Sequence, residues 1–329
     1  MRSKYFQYTS WCLTLFLLIA SCKEEPYEVP VPKDALQNDC IKRSLGPNIV
    51  GSNLEFAYAM ALPATKGKLV AAQVEASIAG AGTTYLEHRS YYTDGSGVDV
   101  GIQVGAPSTN QGNITTVNFT KDTNAVTLRY FYAIPEEARG KTVSFRFTAK
   151  SSSGESVNYS MGPYTVAKMD MALDIPVKDA ENCFISIADM KAYNAADAAA
   201  NAAKIDIIYL YRAMPNVAFN HSFVSPGTKT EYLPGVVLPP GVNNVSKISR
   251  AWALRDNNLA RDKYGIYIDD IDFQQLNIAS APDYAINLKE EAGAWIETAD
   301  GKYRAYIYIN KVNNGSKSAV ISMKRYTMK

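Results

Sequence analysis

Histidine is almost missing from this chain of 329 residues, which has only His88 and His221, one in each half. A zinc site draws several His or Cys ligands at short spacing, so neither half offers one and both histidines read as structural. Cysteine is nearly as scarce: Cys12 and Cys22 fall in the N-terminal segment, which leaves Cys40 and Cys183 as the pair that could bond. They sit a domain length apart in the layout argued below, and a disulfide needs Cα atoms within about 7 Å, so two buried free thiols are expected. The Gly-x-Ser-x-Gly pattern of serine hydrolases is absent; Asp94-Gly95-Ser96-Gly97 lacks the first glycine where it is needed and reads as a turn. No block of like charge occurs, and the formal net charge is only +2, so there is no basic footprint for nucleic acid. Long apolar runs are missing too: the best, Trp11 to Ala20, is too short to cross roughly 30 Å of hydrocarbon.

That short run does fit an export signal. Arg2 and Lys4 give the positive start, and small residues precede Cys22. Ile-Ala-Ser before Cys22 resembles the bacterial lipobox, which implies that Cys22 becomes the acylated first residue of the mature chain, because several acyl chains anchor stably where one is marginal. Lys23-Glu24-Glu25 resembles the lipoprotein export signal of Bacteroidetes, which implies display on the outer face of the outer membrane. Loss of Arg2 and Lys4 brings 34 basic residues to 32, against 32 acidic ones, so the mature chain is formally neutral. Glu24 to Pro32 alternates prolines with other residues and is expected to be an extended tether.

The rest has period two. Val143 to Ala149 alternates, turns at Ser151 to Gly154 and resumes at Val157, a hairpin; Trp295 to Thr298, Tyr303 to Ile309 and Ala319 to Met323 are strands joined at Asp300-Gly301 and Asn314-Gly315, a meander. Further strands are expected at Leu69 to Ile78, Thr115 to Phe119, Val126 to Ala133 and Tyr264 to Phe273, with one short helix in the alanine-rich Asn194 to Lys204. Lys33-Asp34-Ala35 leading to Cys40 and Lys178-Asp179-Ala180 leading to Cys183 read as the starts of a diverged repeat near 145 residues long. The expected fold is therefore all-β: two tandem immunoglobulin-like β-sandwich domains after a lipoprotein signal and short tether. The boundaries are 1–21 for the signal peptide, 22–32 for the lipidated tether, 33–168 for the first domain and 177–329 for the second.

This layout resembles the tandem immunoglobulin-like surface lipoproteins of Bacteroidetes, including uncharacterised adhesin-type families and, more distantly, starch-binding accessory lipoproteins. The resemblance implies a non-enzymatic, cofactor-free binding or adhesion protein, lipid-anchored in the outer membrane, whose partner is a glycan or a surface protein. Two rivals stand beside it: an accessory subunit of a TonB-dependent glycan uptake system, and a glycoside hydrolase or other hydrolase, which needs two convergent carboxylates.

Candidate site residues follow from residue chemistry. Flat rings with a polar edge stack on sugars, which singles out Trp252, Trp295 and the pair Tyr91-Tyr92 before the Asp94-Gly95 turn. Tyr306 and Tyr308 share a strand face that Tyr303 does not. Asp269, Asp270 and Asp272 form the densest acidic cluster and are the candidate calcium ligands, with Asp270 and Asp272 on one face of the expected strand. Ile266 to Ile271 resembles the aspartate-bearing strand late in carbohydrate-binding jelly-roll modules, where the acidic residues are often structural.

Overall fold

The computed structural model describes residues 33–215 and 217–329, and Leu36–Lys329 forms one compact unit. The expected signal peptide, the expected lipidation residue Cys22, the expected export residues Lys23, Glu24 and Glu25, and the expected tether lie outside the described residues.

The first half contributes β1 (Gln37–Lys42), β2 (Asn53–Ala61), β3 (Leu69–Ala76), β4 (Tyr85–Leu86), β5 (Arg89–Thr93), β6 (Asp99–Gln103), β7 (Thr109–Gln111), β8 (Ile114–Asn118), β9 (Ala125–Ala133), β10 (Thr142–Ser151) and β11 (Ser156–Thr165). Antiparallel sheets of order β1-β2-β9-β4 and β11-β10-β3-β8-β7 enclose a shared core, and β5-β6 is a separate hairpin. The adjacency matches the two sheets of an immunoglobulin sandwich, with β1, β2, β9, β4 against β11, β10, β3. Alternation builds it: Phe56, Tyr58 and Met60 of β2 and Val126, Leu128, Tyr130 and Tyr132 of β9 point inward. The core is aromatic, with Phe56 4.9 Å from Phe145 and 5.3 Å from Phe147, ring centroid to ring centroid. Cys40 is buried here as a free thiol, and burial pushes its pKa up to about 12.

The second half contributes β12 (Asp170–Lys178), β13 (Phe184–Ser186), β14 (Lys191–Tyr193), α1 (Ala195–Ala200), β15 (Ile207–Met214), β16 (Val217–Val224), β17 (Lys247–Ala251), α2 (Asn257–Ala260), α3 (Asp270–Gln275), β18 (Tyr284–Leu288), β19 (Gly293–Glu297), β20 (Tyr303–Asn313) and β21 (Ser318–Thr327). Its two sheets run β12-β21-β20-β19-β17 and β14-β13-β15-β16-β18. Their core is aliphatic, built on Ile185, Ile207, Ile248, Ile296, Ile307 and Ile321. Cys183 is buried and free as well, its pKa raised to about 11 by burial. The expected meander, hairpin and short helix are all present; Asn194 caps α1 by accepting from the Asp197 N–H at 2.9 Å.

Three expectations need correction. The halves do not repeat one topology. Cys40 lies in β1, which pairs with β2, and Cys183 immediately precedes β13, which pairs with β15, so the beginnings do correspond. After that β15 turns straight back into β16, whereas β2 finds its second neighbour in the distant β9. Second, residues 169–176, left between the domains by the sequence reading, form most of β12 and close the edge of the second sandwich beside β21. Third, Tyr264 to Phe273 is not a strand. A capping box at Asp269, which accepts from the Ile271 N–H at 2.8 Å while Asp272 accepts from the Asp269 N–H at 2.8 Å, starts α3 there. Aspartate's preference for the helix N-cap overrides a short apolar alternation.

A third core joins the halves. The outer face of β20 carries Tyr306 and Tyr308, the parity read from sequence, and the excursion between β17 and β18 lays Leu259, Ile268 and Phe273 over them. Ile49, Ala167 and Met169 complete this cluster from the first half and the linking segment. Gly46, at φ +75°, lets the first half approach closely: a Cβ there would lie 2.3 Å from the Tyr267 ring. Arg139 bridges to Asp170 at 2.7 Å and donates to the Lys168 carbonyl at 2.9 Å.

Candidate functional site

The acidic cluster is structural. Besides the Asp269–Asp272 capping box, Asp270 accepts from the Lys168 N–H at 2.7 Å and the Met169 N–H at 3.1 Å, clamping the linker to α3. The three carboxylates thus serve separate backbone partners, and among the described residues no group of three or more His, Cys, Asp or Glu side chains could hold a metal ion. The calcium candidates and the jelly-roll strand both fall with the strand that would have aligned them.

The two tryptophans part company. Trp295 packs inward at 4.7 Å from Tyr306 and edge-on at 5.5 Å from Phe273, at the margin of the third core. Trp252 is 49% exposed, with the Arg250 guanidinium 4.4 Å from its ring centroid. Trp295→Ala is therefore expected to cost about 2–3 kcal/mol, below the range for a fully buried ring, while Trp252→Ala stays within about 1 kcal/mol. Chemical denaturation of the two variants checks this; equal losses would contradict the assignment. His221 is buried, with Tyr209 Oη 2.6 Å from Nδ1 and Asn314 Oδ1 2.7 Å from Nε2. Burial lowers its pKa, which keeps the ring neutral and structural. His88 sits beside Glu87, Nδ1 to Oε1 3.2 Å.

Tyr91 and Tyr92 border a real groove. Small outward residues on β2 and β9, Ala59, Ala61, Ala125 and Thr127, leave a low surface over which the β5-β6 hairpin stands, enclosing about 460 Å³ with Asn38, Asp39 and Ser90. The hairpin is pinned: the Thr127 N–H donates to Ser90 Oγ at 3.0 Å, and Arg129 pairs with Asp99 and covers the Tyr91 ring at 4.0 Å. Glu87 accepts from Arg89 Nε at 3.1 Å, and that bond leads in holding its carboxyl below the ordinary range. Tyr91 is thus a wall, whereas Tyr92 is 52% exposed at the rim.

Sequence reasoning missed a second concavity. A polar pocket of about 290 Å³ opens in the second sandwich, lined among others by Asp189, Lys204, Asp206, Thr298, Asp300 and Tyr303. Asp206 is only 4% exposed, and desolvation raises its pKa to about 7 against the opposing Ile187 N–H, which donates to Oδ2 at 3.0 Å. Asp300 is held the other way, below the ordinary range, by the Thr298 hydroxyl at 2.6 Å and the Lys302 N–H at 2.9 Å. A usable signal existed: a lone aspartate inside Ile205-Asp206-Ile207-Ile208, a charge in an otherwise apolar run.

Fold and site together define a two-domain all-β sandwich protein with an aromatic-rimmed groove on one half and a polar pocket on the other. The chain belongs to the DUF4466 family. Residues 33–166 match the model described as Domain of unknown function (DUF4466), and residues 167–328 match Domain of unknown function (DUF8576). The chain is 47% identical to a DUF4466 family protein from Parabacteroides merdae whose crystal structure superposes with a TM-score of 0.85, covering 90% of this chain and 100% of that one. The major pilin subunit of Bacillus cereus (9% identity, 82% of this chain and 58% of that one, TM-score 0.28) is also similar. So is a fragment of the major pilin of Streptococcus agalactiae (9%, 80% and 86%, 0.30), and both likenesses are too low to argue from. No curated protein matches the chain.

Proposed function

We propose that this protein is a non-enzymatic, lipid-anchored surface protein of a Bacteroidetes cell that binds a glycan in the groove beneath the β5-β6 hairpin. The observation that carries the reading is the groove's construction: a floor of small residues, a pinned Tyr91 wall and a half-exposed Tyr92 at the rim, with Asn38, Asp39 and Ser90 along its margin. A shallow, open groove with one exposed ring suits a sugar face, which stacks on an aromatic while its hydroxyls stay at the polar margin. The lipobox-like residues before Cys22 support the anchored location, and a relative of 47% identity from a Parabacteroides species supports the Bacteroidetes source.

Two measurements test the reading. Tyr92→Ala should weaken binding on a glycan array at least tenfold with unchanged melting; a folded wild-type protein with no glycan signal would shift the case to a protein ligand. Cys22→Ala should move the protein out of the membrane fraction or leave its leader unprocessed. Labelled fatty acid still entering that variant would reject lipidation at Cys22.

A further inference from the structure

We propose that the pocket around Asp206 is a second, independent binding site, and that it takes a neutral polyhydroxylated molecule of about one sugar ring. The pocket is about 290 Å³, at the lower end of small-ligand sites. Its polar groups come from four separate segments: Asp189 after β13, Lys204 and Asp206 before β15, Asn244, and the β19-β20 turn with Thr298, Asp300 and Lys302.

Three observations select the ligand class. First, Asp206 is buried beyond nine-tenths and lines the pocket, yet only Oδ2 has a hydrogen bond, from the Ile187 N–H at 3.0 Å. Buried polar atoms seldom go without full partnering, so a group entering the pocket that can bond to the second carboxyl oxygen would complete Asp206. Second, the charges are mixed. Asp189 pairs with Lys204 at 3.1 Å, Asp300 faces the same space as Lys302, and Asp206 adds a third carboxyl. An anion or a cation would each meet a like charge, whereas a molecule bearing hydroxyls can donate to the carboxylates and accept from the ammonium groups. Third, Tyr303 contributes one aromatic ring to the lining, with the Arg325 guanidinium 5.0 Å and the Lys302 ammonium 5.1 Å from its centroid. Burial raises the Asp206 pKa to about 7, so on the acidic side of neutrality its carboxyl can supply a donor as well as an acceptor.

The site is separate from the Tyr92 groove, and the test keeps them apart. Saturation-transfer NMR on the full-length protein would use glucose, galactose, mannose, fucose and N-acetylglucosamine as probes. At least one should give a signal that Asp206→Leu reduces tenfold or more while Tyr92→Ala leaves it unchanged. Melting of Asp206→Leu confirms that it is folded, which an apolar side chain in this position favours. No signal from any probe at millimolar concentration, or a signal that survives in folded Asp206→Leu, would overturn the proposal. So would a signal abolished by Tyr92→Ala, which would assign the binding to the groove. Inorganic phosphate and calcium serve as charged probes; stronger binding of either than of every sugar would also overturn it.

Discussion

Asp256→Ala should destabilise the protein by about 3–5 kcal/mol, the largest loss expected from any single truncation here. Asp256 and Lys324 are fully buried, with Lys324 Nζ 2.7 Å from Asp256 Oδ2. Lys324 also donates to Asn258 Oδ1 at 2.9 Å and the Ile268 carbonyl at 2.8 Å. Asp256 accepts in addition from the Leu259 N–H at 2.9 Å, capping α2, and from the Ile268 N–H at 2.7 Å. Burial pulls the Lys324 ammonium below its ordinary range, and the Asp256 charge opposes that shift. Removing Asp256 would strand a buried cation and two backbone N–H groups at once, and would loosen the excursion that covers Tyr306 and Tyr308. The double variant Asp256→Asn with Lys324→Met keeps the bond from the Leu259 N–H, gives up that from the Ile268 N–H and removes both charges. It should lose much less, because replacing a buried ion pair is often near neutral whereas breaking one is not. Denaturant titration decides; a double variant as unstable as Asp256→Ala would reject the charge argument.

The second large effect has the opposite sign. Asp206→Asn should stabilise the protein at pH 8 by about 3–4 kcal/mol, and the gain should vanish near pH 4. The folded-state pKa is raised to about 7 from the ordinary 3.8. The group's favourable contribution is therefore complete below the unfolded value and is lost as pH rises through the folded one. Above pH 7 both states are ionised and the fold bears the whole desolvation cost. Asparagine has the same shape and can still accept from the Ile187 N–H. The difference between variant and wild type, measured from pH 4 to pH 8, removes the titration of other groups from the comparison. A difference independent of pH would show that Asp206 is not held neutral.

Much of the fold was legible because it is local. The pattern named β3, β9, β10, β20 and β21, and Asp300-Gly301 and Asn314-Gly315 placed the reversals of the meander, since strand parity and turn chemistry act over a few residues. Tyr306 and Tyr308 were correctly put on one face. What lay beneath that face was not readable, because the residues that bury it, Ile49, Met169, Leu259 and Phe273, come from three distant segments. Of the candidate site residues, Tyr92 stands at a groove, Trp295 went into a core, and Asp269, Asp270 and Asp272 became a cap and a clamp. Those outcomes turn on partners far along the chain, such as Lys168 for Asp270.

The sequence by itself determined the all-β class, the hairpins and the free cysteines, because period, turn residues and cysteine spacing are local or compositional. Tertiary structure alone decided that the two sandwiches differ in strand order, that an apparent strand at Tyr264 to Phe273 starts a helix, and that Asp206 meets Asp300 across a pocket. Each depends on which distant segment supplies the hydrogen bond or excludes the water. A carboxylate is exposed, capping or held neutral according to that neighbour, and the neighbour is set by the packing of the whole chain.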